Sequence, residues 1–132
     1  MFTTLGWFVF ALFFALAVWL FLYPYLKRRF CAKRRAIHLL HDMLTPEQCR
    51  QLRWYGYLDV PSPSTAGRIY RVPRTKGGFV QVIEHGKAVM RLCVQPAERL
   101  PDADVIVLHK LMIEANEEYY LQKANKYHCV DF

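Results

Sequence analysis

The chain has 132 residues, of which 54% are hydrophobic, and it carries a formal net charge of +7. This length suits one domain and is short for two. Six basic residues lie between positions 27 and 35, whereas from Ala36 onward 12 Lys and Arg stand against 11 Asp and Glu. The charge is therefore local, which argues against a nucleic-acid-binding domain, where positive charge would cover a folded surface.

Residues 5–26, LGWFVFALFFALAVWLFLYPYL, contain no charged side chain. As a helix this segment is about 33 Å long, which matches a bilayer core of roughly 30 Å. A cleaved signal peptide would need a basic start, a shorter apolar core and a small-residue cleavage site, and the sequence has none of these. We therefore predict a transmembrane helix over 5–26, preceded by an external N-terminus of residues 1–4.

The flanks of this segment predict its orientation. All the nearby basic residues follow it, and the basic flank of a membrane span remains in the cytoplasm. Aromatic residues at both ends are typical of the two membrane interfaces, and basic residues near anionic headgroups contribute about 1 kcal/mol each. The predicted membrane-interface residues are Trp7, Tyr23, Tyr25, Lys27, Arg28, Arg29, Lys33, Arg34 and Arg35.

The span itself offers little chemistry. It lacks His, Asp, Glu, Lys and Arg, which excludes proton relays and ion sites within the membrane. Ala11 and Ala15 form a small-xxx-small pair that would let a partner helix approach closely, although Ala is also simply common in spans. We predict both residues as possible partner contacts.

A basic juxtamembrane helix is predicted over 27–44, followed by a folded domain over 45–132. Thr45 is a suitable N-cap, Gln48 completes a capping box with it, and Gly56 is a natural stop. These signals predict a short helix from about 46 to 55.

The middle of the chain predicts strands. Residues 58–67 contain two Pro and several small polar residues and are predicted to be a loop. Three strand-like runs follow, with short Gly-containing connections that predict hairpins. The runs are 68–74, 79–84 and 87–94, which together form an antiparallel three-stranded meander.

A long helix is predicted over 102–126, opened by Asp102 and Asp104. Its apolar residues form two stripes, one for the sheet and a second for the short helix or a partner. The second stripe is Ile106, Ile113 and Tyr120, and His109 is read either as a solvated or core residue or as a titrating interface contact. Glu114, Glu117 and Glu118 are predicted to mark the exposed edge. The predicted fold class is a single N-terminal transmembrane helix plus a small α+β cytoplasmic domain.

We find no motif for catalysis or nucleotide binding. The four Cys, at positions 31, 49, 93 and 129, form no CxxC pair, so ordinary side chains are favoured over a zinc site. Cys31 would be a site of palmitoylation in a eukaryote. We predict no catalytic residue, no cofactor and no metal site.

These observations favour a non-enzymatic accessory or scaffolding subunit on the cytoplasmic face of a larger membrane protein complex. Its partners would be that complex and anionic headgroups, with nucleic acid disfavoured. The alternatives are a membrane-tethered adaptor for a soluble protein or nucleic acid, and an enzyme whose site is assembled from scattered residues.

Overall fold

The computed structural model describes residues 2–75, 77–94 and 96–128, and the chain forms two compact units, residues 1–35 and 36–132. The first helix, α1, runs from Phe2 to Met43, which is about 63 Å at 1.5 Å per residue. The transmembrane helix predicted over 5–26 and the juxtamembrane helix predicted over 27–44 are therefore parts of one helix, which ends one residue before the predicted boundary. Pro24 lies inside it without ending it, although its missing N–H removes one backbone hydrogen bond.

The described residues of the first unit, 2–35, all belong to α1. The side chains of residues 6–35 are all exposed, so this stretch has no protein interior in which to bury its apolar surface. It is long and apolar enough to cross a membrane. The predicted apolar helix is thus present.

The second helix, α2, spans Pro46–Tyr55 and has the predicted ends. The Thr45 hydroxyl accepts a hydrogen bond from the Gln48 N–H, and the Gln48 side chain accepts one from the Thr45 N–H. Gly56 closes the helix in the left-handed conformation, with φ +75°. The capping box and the Gly stop are confirmed.

Five antiparallel strands follow, paired in chain order β1-β2-β3-β4-β5. The predicted three-stranded meander is present but is only the centre of this sheet. The strands are β1 (Tyr57–Pro61), β2 (Arg68–Pro73), β3 (Val80–Glu84), β4 (Lys87–Cys93) and β5 (Asn125–His128). The prediction of a loop over 58–67 is wrong for its first half, because β1 buries alternate residues, Leu58 and Val60, despite the nearby prolines.

The prediction of one helix over 102–126 is also wrong. Helix α3 spans Asp102–Ala115 and helix α4 spans Glu117–Lys123, while β5 takes the end of the predicted helix. Asn116 separates the helices because its backbone leaves the helical region, and its side-chain oxygen accepts a hydrogen bond from the Tyr119 N–H. The class is α+β, with an antiparallel sheet of five strands.

One face of this sheet carries the core. Side chains from β1 to β4 pack there with α3 and α4, and α2 contributes Leu52. The largest fully buried side chains are Tyr70, Tyr120, Leu58, Leu92, Ile113, Val60, Val72, Val80 and Val82.

Candidate functional site

A buried carboxylate, that of Glu117, lies at the start of α4 and is only 5% exposed. One carboxylate oxygen accepts hydrogen bonds from the Ser62 hydroxyl at 2.6 Å, from the Ser64 N–H at 3.2 Å and from the Ser64 hydroxyl. The other accepts from Arg68 Nη1 at 3.2 Å and from the Tyr70 hydroxyl. Five donors from the β1–β2 connection and from β2 thus converge on one side chain.

Local sequence explains how these groups meet. The Asn116 break restarts the helix, so Glu117 faces the sheet instead of continuing the exposed edge predicted for it. In the β1–β2 connection, the Ser62 hydroxyl accepts the Thr65 N–H at 2.9 Å, which folds the segment into a tight turn. Gly67 then returns the chain to β2 with φ +80°, a conformation that favours glycine.

The Glu117 carboxyl group is ionised at neutral pH. Burial alone would raise the pKa of Glu117, but hydrogen bonds from Ser62, Ser64, Tyr70 and Arg68 outweigh it and lower that pKa to about 2. Arg68 also bonds Glu84 through Nε at 2.7 Å, so its guanidinium bridges two carboxylates. Hydrogen bonds thus keep the Glu117 carboxylate in its charged form at pH 7.

A second buried pair adjoins this network. His109 Nδ1 on α3 and the Tyr120 hydroxyl on α4 share a hydrogen bond of 2.8 Å, and the Tyr120 ring meets the Tyr70 ring edge to face. Burial lowers the pKa of His109 to about 4, so the imidazole is neutral at pH 7. Among the described residues, every buried side-chain nitrogen or oxygen has a hydrogen-bond partner. The polar groups of the core therefore satisfy one another.

The residues predicted to contact a partner fall into two sets. Ala11 and Ala15 are exposed on α1. Ile106, His109, Ile113 and Tyr120 are instead buried in the folded domain, between 0% and 6% exposed. Three of these side chains lie on α3 and one on α4, where the fold itself covers them.

The predicted membrane-interface residues are all exposed on α1. Tyr23 stacks on Trp19 with ring centroids 5.5 Å apart, and the Arg29 guanidinium lies 5.4 Å from the centre of the Tyr25 ring. Aromatic side chains thus contact each other or a basic side chain near the place where the apolar segment ends.

The cysteines and histidines are dispersed. Cys49 Sγ lies 3.7 Å from His41 Nδ1, and His38 pairs with Asp42 at 3.1 Å on the helix surface. Within the described ranges no three His, Cys, Asp or Glu side chains are grouped to hold a metal ion. Cys129, considered for a zinc site, lies outside the described residues.

The sheet face opposite the core has different properties. No described side chain on it is buried, whereas the core face is almost fully inaccessible. We call this surface the open sheet face. The strand register places together on it Tyr57, Asp59, Ile69, Arg71, Gln81, Ile83, Arg91 and Tyr127. Phe79, directly before β3, joins them through its contact with Tyr127.

Sequence reasoning missed the Glu117 network. It placed Glu117 on an exposed edge and gave Ser62 and Ser64 no role. One signal could have located the break: Asn116 followed by two acidic residues has the pattern of an N-cap with acids in the first helical turn. Comparisons with protein-family models, with curated proteins and with solved structures find no match for this chain.

Proposed function

We propose that the protein is a single-pass membrane protein with its N-terminus outside and its C-terminal domain in the cytoplasm. There the domain acts as a non-enzymatic accessory or scaffolding subunit of a larger membrane protein complex. The observation that carries the proposal is the continuity of α1: an uncharged apolar segment runs directly into six basic residues on the same helix. A bilayer accommodates the first part, and the positive flank favours the cytoplasmic side.

The distribution of the basic residues around α1 supports contact with headgroups. At 100° per residue, Lys27 and Arg34 lie on one side of the helix, while Arg29 and Lys33 lie on the opposite side. A helix that crosses a headgroup layer meets phosphates on every side, whereas a nucleic-acid duplex would contact one side only. The charge pattern therefore favours lipid over nucleic acid at this segment.

The domain's interior supports a binding role over an enzymatic one. Glu117 and His109, which are buried, and Arg68, which is partly buried, are held in single charge states by hydrogen bonds or burial. Their polar atoms are occupied by neighbours within the fold, not directed into a cleft. The interior thus stabilises the domain, and the surface remains for interaction with a partner.

We expect the orientation to depend on the six basic residues. With Lys27, Arg28, Arg29, Lys33, Arg34 and Arg35 replaced by Gln, and Phe2, Thr3 and Thr4 replaced by Lys, most molecules should insert with the domain outside. The measurement is protease protection of an epitope at the C-terminus in sealed vesicles of known sidedness. The control keeps the six basic residues and adds only the three Lys. A native domain already outside, or a redesigned chain that keeps the native orientation, would contradict the proposal.

The accessory-subunit role is tested by measuring the mass of the complex that contains the chain. Native membranes are solubilised in mild detergent, and the complex containing the tagged full chain is isolated and weighed by native mass spectrometry. We expect a defined complex with a larger membrane protein at fixed stoichiometry. Recovery of the chain as a lone monomer would refute the role.

A further inference from the structure

The open sheet face presents a row of five polar or aromatic side chains, one from each strand. The register places Asp59, Arg71, Gln81, Arg91 and Tyr127 directly opposite one another from β1 to β5. Neighbouring strands are about 4.8 Å apart, so this row crosses about 19 Å of the sheet. We call it the cross-strand row.

The β1 end of the row is held rigidly. Arg71 donates two hydrogen bonds to the Asp59 carboxylate, at 2.8 Å and 2.9 Å, and its guanidinium lies 4.0 Å from the centre of the Tyr57 ring. The hydrogen bond that Arg71 donates to Asp59 is the main reason why the pKa of Arg71 is raised. A paired and stacked guanidinium loses little conformational freedom when a ligand covers it.

The β5 end of the row differs. Arg91 is exposed, and it forms no ion pair with any residue that the structure describes. Its neighbour Tyr127 is 53% exposed and meets the Phe79 ring edge to face, with centroids 5.5 Å apart. A cation without an ion-pair partner among the described residues thus lies beside an exposed aromatic pair.

Apolar groups flank the cross-strand row on both sides. Phe79 and Tyr57 lie on one side, and half-buried Ile69 and Ile83 lie on the other. Aromatic residues and Arg are enriched in protein interfaces and dominate their binding energy. The composition of the face is that of a binding surface for another protein.

The charged side chains of the open sheet face indicate which kind of partner it would bind. Asp59 and Arg71 neutralise each other, so among the described residues of this face one positive charge remains, on Arg91. A second copy would add a second unpaired Arg to the interface, and like charges at an interface are costly. Nucleic acid or an anionic bilayer would bring many phosphates to a face whose described residues include the carboxylate of Asp59 and little unpaired positive charge. A protein surface with a single carboxylate matches this pattern.

We propose that the open sheet face binds a protein partner that places a carboxylate against Arg91 and apolar side chains against Phe79 and Tyr127. This inference rests on the proposed function, because it names the surface through which the subunit would hold its complex. A face five strands wide and five residues long covers roughly 400 Å² in projection, about half of what one partner buries in a standard interface. Tyr55, whose ring lies 5.9 Å from that of Tyr57, extends it at the β1 edge. Confinement of both partners to one membrane raises their effective concentration and compensates for the small area.

The test uses the full chain in its native membranes. Arg91→Glu reverses the charge of the cross-strand row at an exposed position, and Arg99→Glu makes the same change in an exposed connection outside the face. We expect Arg91→Glu to lower the amount of co-purified partner at least tenfold and Arg99→Glu to leave it unchanged, because only the first opposes the partner's carboxylate. Both variants should retain wild-type thermal stability, since neither position is buried.

Photo-crosslinking locates the contact. A photoreactive residue replaces Gln81 in the open sheet face, and in a control chain it replaces Glu114, which is exposed on α3. Crosslinks to the co-purified protein from position 81 and none from position 114 would support the proposal. Crosslinks from position 81 to lipid, to nucleic acid or to a second copy would overturn it.

The outcomes distinguish a failure of the accessory-subunit role from a failure of the proposed binding surface. A wild-type chain that co-purifies with no partner refutes the accessory-subunit role itself. A partner that is retained by Arg91→Glu, or that crosslinks from position 114 only, leaves that role intact and rejects the open sheet face as its binding surface.

Discussion

Replacing Glu117 with Ala is expected to lower the free energy of unfolding of the domain by about 2 to 4 kcal/mol. The substitution leaves the Arg68 guanidinium, the Tyr70 hydroxyl and two Ser hydroxyls without their common acceptor. The buried Tyr70 hydroxyl accounts for much of this cost, because an unsatisfied buried donor costs about 1 to 3 kcal/mol, and Arg68 adds to it because its guanidinium loses one of its two carboxylates and keeps Glu84. Tyr70 is inaccessible to solvent, so water cannot reach its hydroxyl without the domain opening.

The measurement is pulse proteolysis of the full chain in detergent micelles across a urea series. Glu118→Ala is the matched control, because Glu118 is the next residue on α4 and is exposed; its change should remain within about 0.5 kcal/mol. Glu117→Gln separates charge from size, since Gln keeps one acceptor oxygen but places an NH₂ donor against other donors. Equal effects of Glu117→Ala and Glu118→Ala would show that the network does not stabilise the fold.

The parts of the fold that the sequence predicts well are those set by neighbouring residues. The capping box of Thr45 and Gln48 needs only four consecutive positions, and the apolar helix depends on an uninterrupted composition. The β3–β4 hairpin turns at His85-Gly86, where both residues have positive φ, as a short Gly-containing connection predicts. In each case local chemistry and the final fold agree.

The parts that were predicted wrongly depend on distant partners. Strand β1 lies beside a proline-rich connection, and only its pairing with β2 makes it a strand. The end of the predicted long helix is β5, which is a strand because it pairs with β4, more than thirty positions earlier in the chain. A regular apolar spacing across Asn116 predicted one continuous helix, while the capping chemistry of Asn116 favoured two.

The Glu117 network could not be predicted for the same reason, because its members are distant in sequence. Its donors lie between 47 and 55 residues away in sequence, so no local pattern joins them to Glu117. A Glu beside another Glu on a helix is usually solvated, and its burial here is stabilised only by the donors that the β1–β2 connection supplies. Sequence periodicity could locate the core stripe of Ile106, Ile113 and Tyr120, but it could not decide whether the fold or a partner covers that stripe.

Two buried groups make the domain's stability depend on pH in different ranges. The pKa of Glu117 is lowered in the folded state to about 2, so its contribution is complete above the unfolded value of 4.5 and is lost as the pH falls toward 2. The pKa of His109 is lowered to about 4, so the unfolded chain binds a proton below pH 6.5 that the folded domain excludes. Both shifts destabilise the fold in acid, but that of His109 acts first.

Replacing His109 with Gln should therefore remove most of the loss of stability between pH 7 and pH 4. A folded pKa of about 4 against an unfolded value of 6.5 corresponds to roughly 3 kcal/mol at pH 4. Gln keeps a side chain able to form a hydrogen bond with the Tyr120 hydroxyl but has no charge to gain. The free energy of unfolding is measured for the full-length wild type and for the variant, each at pH 7 and at pH 4. Relative to the wild type, the variant should be about 3 kcal/mol more stable at pH 4 than it is at pH 7.

The control is His41→Gln, at an exposed position on α1, which removes a histidine that the solvent reaches in both the folded and the unfolded state. If the difference between the wild type and His109→Gln is independent of pH, then His109 titrates alike in the folded and unfolded chains, and its burial does not determine the acid sensitivity of this domain.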